Sequence, residues 1–137
     1  MSSNMYNPAI LIVDDDVISR MVLNKILTRN GYTIFEADNG YDALDLINSD
    51  KNIEHIILDL NMPVLDGYSF IELLNSQKLS NRLNVIITSC WDESHFTTNV
   101  QERNLPIDCV KAYFKKPVDF ELLVNTLRCI EPVAVAS

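Results

Sequence analysis

Apolar runs and amphipathic stretches alternate along the chain. Residues 9–13, AILIV, form a continuous apolar run, the pattern of a strand covered on both faces. Asp16 can cap a helix that runs to about Arg29, with Val22, Leu23, Ile26 and Leu27 as its inward face. Asn30-Gly31 supplies the stop, glycine taking the left-handed position past a helix end. Residues 32–37 read as a second strand, and Asn39-Gly40 opens a short helix carrying Ala43, Leu44 and Ile47. A third strand spans 55–60. A third helix runs from Gly67 to about Ser76 and turns Phe70, Ile71, Leu73 and Leu74 inward. Residues 84–90 form a fourth strand. The polar, weakly periodic stretch from Asp92 to about Leu105 is assigned to a helix, and 111–115 to a fifth strand. Asp119 to Ile130 is the last helix, with Leu122, Leu123, Thr126 and Leu127 inward, and EPVAVAS is a short frayed tail.

Five strand–helix units in one short chain predict an α/β fold, a five-stranded parallel sheet with helices on both faces. The 137 residues fit one domain. Sheets of this kind place their sites at the carboxyl ends of the strands, near the point where strand order reverses.

The last residues of each strand therefore carry the chemistry. Strand one ends in Asp14, Asp15 and Asp16, and strand three in Asp59, followed by Asn61. Strand four ends in Thr88 and Ser89, and strand five in Lys115, Lys116 and Pro117. With strands one and three as neighbours, Asp14, Asp15 and Asp59 converge. Converging carboxylates repel, and burial raises the cost. A hard divalent cation with oxygen ligands relieves it, and Mg²⁺ suits one or two carboxylates, a backbone carbonyl such as that of Asn61, waters and a phosphate. With Thr88 and Lys116 opposite, such a place lets an aspartate attack a phosphoryl group. Each piece alone has a plainer reading. Three aspartates before a helix are often a cap, Asp66-Gly67 is often only a turn, and Lys-Pro is often only a strand stop. The joint placement of four strand ends in one layer favours the site.

Charge and composition narrow the partners. Nineteen acidic against 11 basic residues give a formal net charge of −8, which disfavours nucleic acid or an anionic membrane. No apolar run approaches the roughly 20 residues of a membrane helix, and the start lacks a signal-peptide pattern. Cys90, Cys109 and Cys129 lack metal-site spacing and read as free thiols of a reducing cytoplasm, as buried filler rather than reactive groups.

The motifs ILIVDDD, IILDLNMPVLDG, VIITS and YFKKP, in this order, resemble the response-regulator receiver domain of two-component signalling, from about Pro8 to Ile130. The resemblance implies a flavodoxin-like strand order 2-1-3-4-5. It implies that Asp59 is the phosphoacceptor. Mg²⁺ would be held by Asp14, Asp15, Asp59 and the carbonyl of Asn61, with Asp15 the direct ligand and Asp14 acting through water. Thr88 and Lys116 would engage phosphoryl oxygens. Tyr113 would be the aromatic that swings inward when Thr88 moves. A histidine kinase or histidine phosphotransfer protein would be the donor, an unidentified protein would read the face of helix four, strand five and helix five, and many relatives dimerise there. The chain stops soon after its last helix, so it is expected to act as a stand-alone receiver in the cytoplasm.

Two departures matter. The stretch between Thr88 and Lys116 is longer than usual and contains Pro106, which predicts a shortened, tilted or loosely ordered fourth helix. Asn61 and Cys90, two residues past Asp59 and Thr88, flank the route of a hydrolytic water and are expected to set phosphate lifetime. Two rival functions fit the residues less well. A Mg²⁺-dependent phosphohydrolase of the haloacid-dehalogenase type would want an aspartate as general acid where Asn61 stands. A flavodoxin-like electron carrier would want phosphate donors where the three aspartates stand.

Overall fold

The computed structural model describes residues 8–50 and 52–130, and the expected frayed tail lies outside them. The elements run β1 (Ala9–Val13), α1 (Val17–Arg29), β2 (Thr33–Ala37), α2 (Gly40–Ser49), β3 (Ile53–Asp59), α3 (Gly67–Ser76), β4 (Asn84–Ser89), α4 (Glu93–Arg103), β5 (Val110–Lys115) and α5 (Phe120–Cys129). The strands form one parallel sheet in the order β2-β1-β3-β4-β5, as expected from the sequence. A 3-10 turn at Ser80–Arg82, too short for periodicity to reveal, precedes β4.

Period-two alternation along the strands sorts the core into two layers. Leu11, Val13, Ile56, Leu58, Val85 and Ile87 pack against α2, α3 and α4. Ile10, Ile12, Ile57, Ile86 and Phe114 pack against α1 and α5. Both faces are covered, which is why the strands read as unbroken apolar runs.

Helix starts follow the expected chemistry. Asp16, Asn39, Asp66 and Asp119 each accept a hydrogen bond from an N–H of the first turn of α1, α2, α3 and α5, worth about 1 kcal/mol apiece. Asp92, at the start of α4, makes no such cap. Its carboxylate binds the Lys115 ammonium at 2.7 Å instead. Gly67 is required by close approach, because a Cβ there would sit 2.8 Å from the Leu60 Cα. Its N–H donates to the Leu60 carbonyl at 3.0 Å, closing the loop that follows Asp59.

Three expectations are corrected. α4 is neither shortened nor frayed. It runs for 11 residues, as long as or longer than α2, α3 and α5, with Phe96 and Val100 anchored in the core and Asn104 in the left-handed conformation at its end. The extra length is taken up after the helix, where the buried Leu105 follows and Asn75 of α3 donates to the Pro106 carbonyl at 3.0 Å. Val22 and Leu122 are exposed rather than inward, and Val124 takes the inward place in α5. Of the cysteines only Cys109 is buried; Cys90 and Cys129 are exposed, and all three are free thiols.

Candidate functional site

Parallel strands carry their last residues to one rim, so β1, β3, β4 and β5 deliver their polar ends to the same place. Asp14, Asp15 and Asp59 each present a carboxylate oxygen, and these oxygens lie within 4.8 Å of one another. Asp14 and Asp59 are buried, and Asp15 is exposed. Lys116 follows β5 directly, and its ammonium stands 3.4 Å from Asp14 Oδ2 and 3.7 Å from Asp59 Oδ2. The Lys116–Pro117 peptide is cis, and the Lys116 N–H donates to the Ser89 carbonyl at 2.7 Å, which ties the lysine to the end of β4. Thr88 is buried and pairs in register with Asp59 across β3 and β4.

Each acidic side chain has defined partners. Asp14 accepts the Asp16 N–H at 2.9 Å on Oδ1 and faces Lys116 with Oδ2. Asp59 accepts the Asn61 N–H at 3.0 Å on Oδ1. Burial pushes the Asp59 carboxyl above the usual carboxylate range. The Asn61 N–H and Lys116 pull it back, while Asp14 and Asp15 add to the rise. Burial alone would lower the Lys116 ammonium; the charges of Asp59 and Asp14 outweigh it and hold it above its ordinary value. The cluster is therefore short of positive charge, three carboxylates against one ammonium. A hard cation fits this donor set, since all the side-chain donors are carboxylate oxygens.

The structure brings Asp14, Asp15, Asp59 and Lys116 together and places Thr88 and Asn61 beside them. Cys90 lies on the exposed rim just past β4. Tyr113 is held away by its own contacts. Its hydroxyl donates to the Trp91 carbonyl at 2.6 Å, and its ring packs on Phe96 with centroids 5.4 Å apart. Arg20 was not named from the sequence, and Ser89 was read only as the end of strand four with no role of its own. Arg20 donates to the Asp14 carbonyl at 2.7 Å and pairs with Glu36 at 3.0 Å, bracing the end of β1. Ser89 links Asn61 to Trp91 through its hydroxyl. A second hydroxyl immediately after Thr88 at a buried strand end was the only signal available for it.

Beside the cluster, a cleft of about 330 Å³ opens between α1 and the start of α5, lined by Ile18, Val22, Leu23, Val118 and Phe120 and reaching Asp14, Thr88 and Lys116. Val17, Ile18 and Met21 continue this apolar surface on α1, each more than half exposed.

Residues 10–128 match the family model for the response regulator receiver domain. The sporulation initiation phosphotransferase F of Bacillus subtilis is 30% identical over 130 residues, covering 94% of this chain and 98% of that protein. The hybrid signal transduction histidine kinase E of Dictyostelium discoideum is 34% identical over 121 residues, 85% of this chain, yet those residues span only 7% of the kinase. Among solved structures, a response regulator receiver protein from Pseudomonas putida superposes with a TM-score of 0.78 at 24% identity, over 90% of this chain and 98% of that one, a likeness of fold.

Proposed function

Since the chain belongs to the response regulator receiver domain family, we propose that it accepts a phosphoryl group on Asp59 and works as a phosphorylation switch or relay intermediate. The observation that carries the reading is the buried Asp59 carboxylate set among Asp14, Asp15 and Lys116. The donor is a phosphohistidine of a histidine kinase or phosphotransfer protein. A carboxylate oxygen of Asp59 attacks phosphorus, the P–N bond breaks, and the imidazole leaves with the electron pair and takes up a proton. The Asn61 N–H fixes the carboxylate while it attacks. Lys116 and the Thr88 hydroxyl meet the phosphoryl oxygens. The cation would be Mg²⁺, held by Asp15 and Asp59 directly, by the Asn61 carbonyl, and by Asp14 through water, Asp14 already being committed to the Asp16 N–H and Lys116. When bound it supplies positive charge to the phosphoryl oxygens.

The switch follows from competing hydrogen bonds. The Tyr113–Trp91 bond is a neutral one, worth about 1 kcal/mol net, whereas a bond from Thr88 to a charged phosphoryl oxygen is worth about 1.5–3 kcal/mol. Phosphorylation draws Thr88 toward Asp59, Tyr113 turns into the vacated space, and its hold on the start of α4 is lost. The face of α4, β5 and α5 then carries the change to a protein target or to a second copy. The exposed apolar surface of α1 beside the cleft gives the donor a place to dock close to Asp59.

Transfer from a phosphorylated histidine phosphotransfer protein tests the reading. The expected result is Mg²⁺-dependent loss of label from the donor and its appearance on this chain, absent in Asp59→Asn. Label that appears on Asp59→Asn as readily as on the wild type would contradict it. Asn61, which cannot serve as a general acid, sets the chain apart from an aspartate-based phosphohydrolase, and the family is a non-enzymatic signalling module.

A further inference from the structure

We propose that Ser89 is a positioning residue that fixes the Asn61 carboxamide and thereby ties the lifetime of the Asp59 phosphate to the turn between β4 and α4. The inference rests on the phosphorylation reading above and adds a control to it. Ser89 is fully buried at the end of β4. Its Oγ accepts the Trp91 N–H at 3.0 Å and donates to Asn61 Oδ1 at 3.3 Å. The Tyr113 phenol also lies within hydrogen-bonding reach of this hydroxyl. The Trp91 N–H can only donate, so it takes a lone pair of the hydroxyl, and the hydroxyl proton is directed at the carboxamide oxygen. Asn61 is meanwhile anchored at the reaction centre, because its N–H donates to Asp59 Oδ1 at 3.0 Å.

The chemical consequence lies in what Asn61 can offer a water. Hydrolysis requires a water oxygen to attack phosphorus while the P–O bond to Asp59 breaks. The Asp59 carboxylate leaves with the electron pair and the water proton passes to solvent. A carboxamide oxygen that accepts a proton from that water holds it in line for attack. The Ser89 hydroxyl takes one of that oxygen's two lone pairs and fixes the orientation of the carboxamide, so the oxygen is not free to turn onto a water in line for attack. Ser89 therefore protects the acyl phosphate. The far end of the bridge is the Trp91 backbone, whose carbonyl is gripped by Tyr113. Whatever displaces the β4–α4 turn also slackens the grip on Asn61, so the output side of the molecule feeds back on signal lifetime.

The test measures phosphorylation by acetyl phosphate with Mg²⁺ and the decay of the phosphoprotein after the donor is removed. The variants are Ser89→Ala, Asn61→Ala and the double substitution. Ser89→Ala is expected to be phosphorylated at the wild-type rate and to lose phosphate about twofold to tenfold faster, the span one neutral hydrogen bond commands. The double variant is expected to decay at the rate of Asn61→Ala alone, which a merely structural role for Ser89 would not produce. In the unphosphorylated protein, the fluorescence of Trp91, the sole tryptophan, should shift in Ser89→Ala. Should Ser89→Ala fail to fold, Ser89→Cys carries the same test, sulfur being close in size and a weak hydrogen-bonding group. Normal phosphorylation with unchanged decay, or a Ser89 effect that persists in Asn61→Ala, overturns this inference alone. A wild-type chain that takes no phosphate overturns the proposed function along with it.

Discussion

β3 carries two buried ionisable side chains four residues apart, and they behave differently. His55 and Asp59 are each 4% exposed, and each has a polar partner in register on β4, Asn84 for His55 and Thr88 for Asp59. Burial moves both toward their neutral forms, lowering the histidine and raising the aspartate. For His55 the neutral form is the one that neutral pH already favours, and Asn84 at 3.4 Å supplies a polar neighbour. The group is quiet. For Asp59 the same burial opposes the charged form, and only Lys116 and the Asn61 N–H work against it. A buried histidine at the amino end of the strand is compatible with a finished core. A buried carboxylate at the carboxyl end, crowded by Asp14 and Asp15, is a group awaiting more positive charge.

The sharpest way to break this contrast is to remove the positive partner. Lys116→Ala is expected to slow phosphorylation of Asp59 by about a hundredfold or more, the usual cost of losing one donor aimed at developing charge. Asn84→Ala, at the quiet end, should leave that rate unchanged. Phosphorylation kinetics with acetyl phosphate check both.

The next effect is on stability. The folded value of Asp59 lies above its unfolded one. The native state therefore binds more protons in that window, and stability falls as pH rises through the folded value and stays reduced at neutral pH. Asp59→Asn should accordingly be more stable than the wild type at pH 7, by about 1 kcal/mol, as urea unfolding would show. An equal or lower stability would mean that Lys116 already compensates the carboxylate in full.

The smallest effect belongs to His55, and its sign is the reverse. Its folded value lies below the ordinary 6.5. As pH falls below about 6.5, the unfolded chain binds the proton first, and stability declines until the folded value is reached. His55→Gln should flatten the unfolding free energy across this range. An unchanged pH profile would assign the acid sensitivity to other groups.

Much of the sheet and of the rim was legible because burial on both faces writes a strand as an apolar run, and because parallel topology sends every strand end to one edge. Asp14, Asp59, Thr88 and Lys116 are all run-ending residues, so position alone gathered them. Faces of helices were harder. Val22 and Leu122 fall on apolar stripes in the sequence, but a stripe does not say where its cover ends. Val22 lines the open cleft, and α5 turns Val124 inward in place of Leu122. The vigour of α4 was hidden for a related reason. Only Phe96 and Val100 are buried along it, so its periodicity is faint, while its hold comes from residues distant in sequence. Arg103 reaches the Tyr68 ring and Glu72, and Tyr113 grips the Trp91 carbonyl. Ser89 was read only as a strand end, because a hydrogen-bonded bridge between two loops leaves no period and no spacing to read.

On this reading Asp59, and no other group, takes the phosphoryl. Incubating the chain with acetyl phosphate and Mg²⁺, followed by intact mass and peptide mapping, tests it most directly. A single added phosphoryl group within the peptide containing Asp59, not formed when Mg²⁺ is chelated beforehand and absent in Asp59→Asn, is the predicted outcome. An unmodified Asp59 under saturating donor and metal, or a phosphoryl group mapped to another residue, would contradict the account.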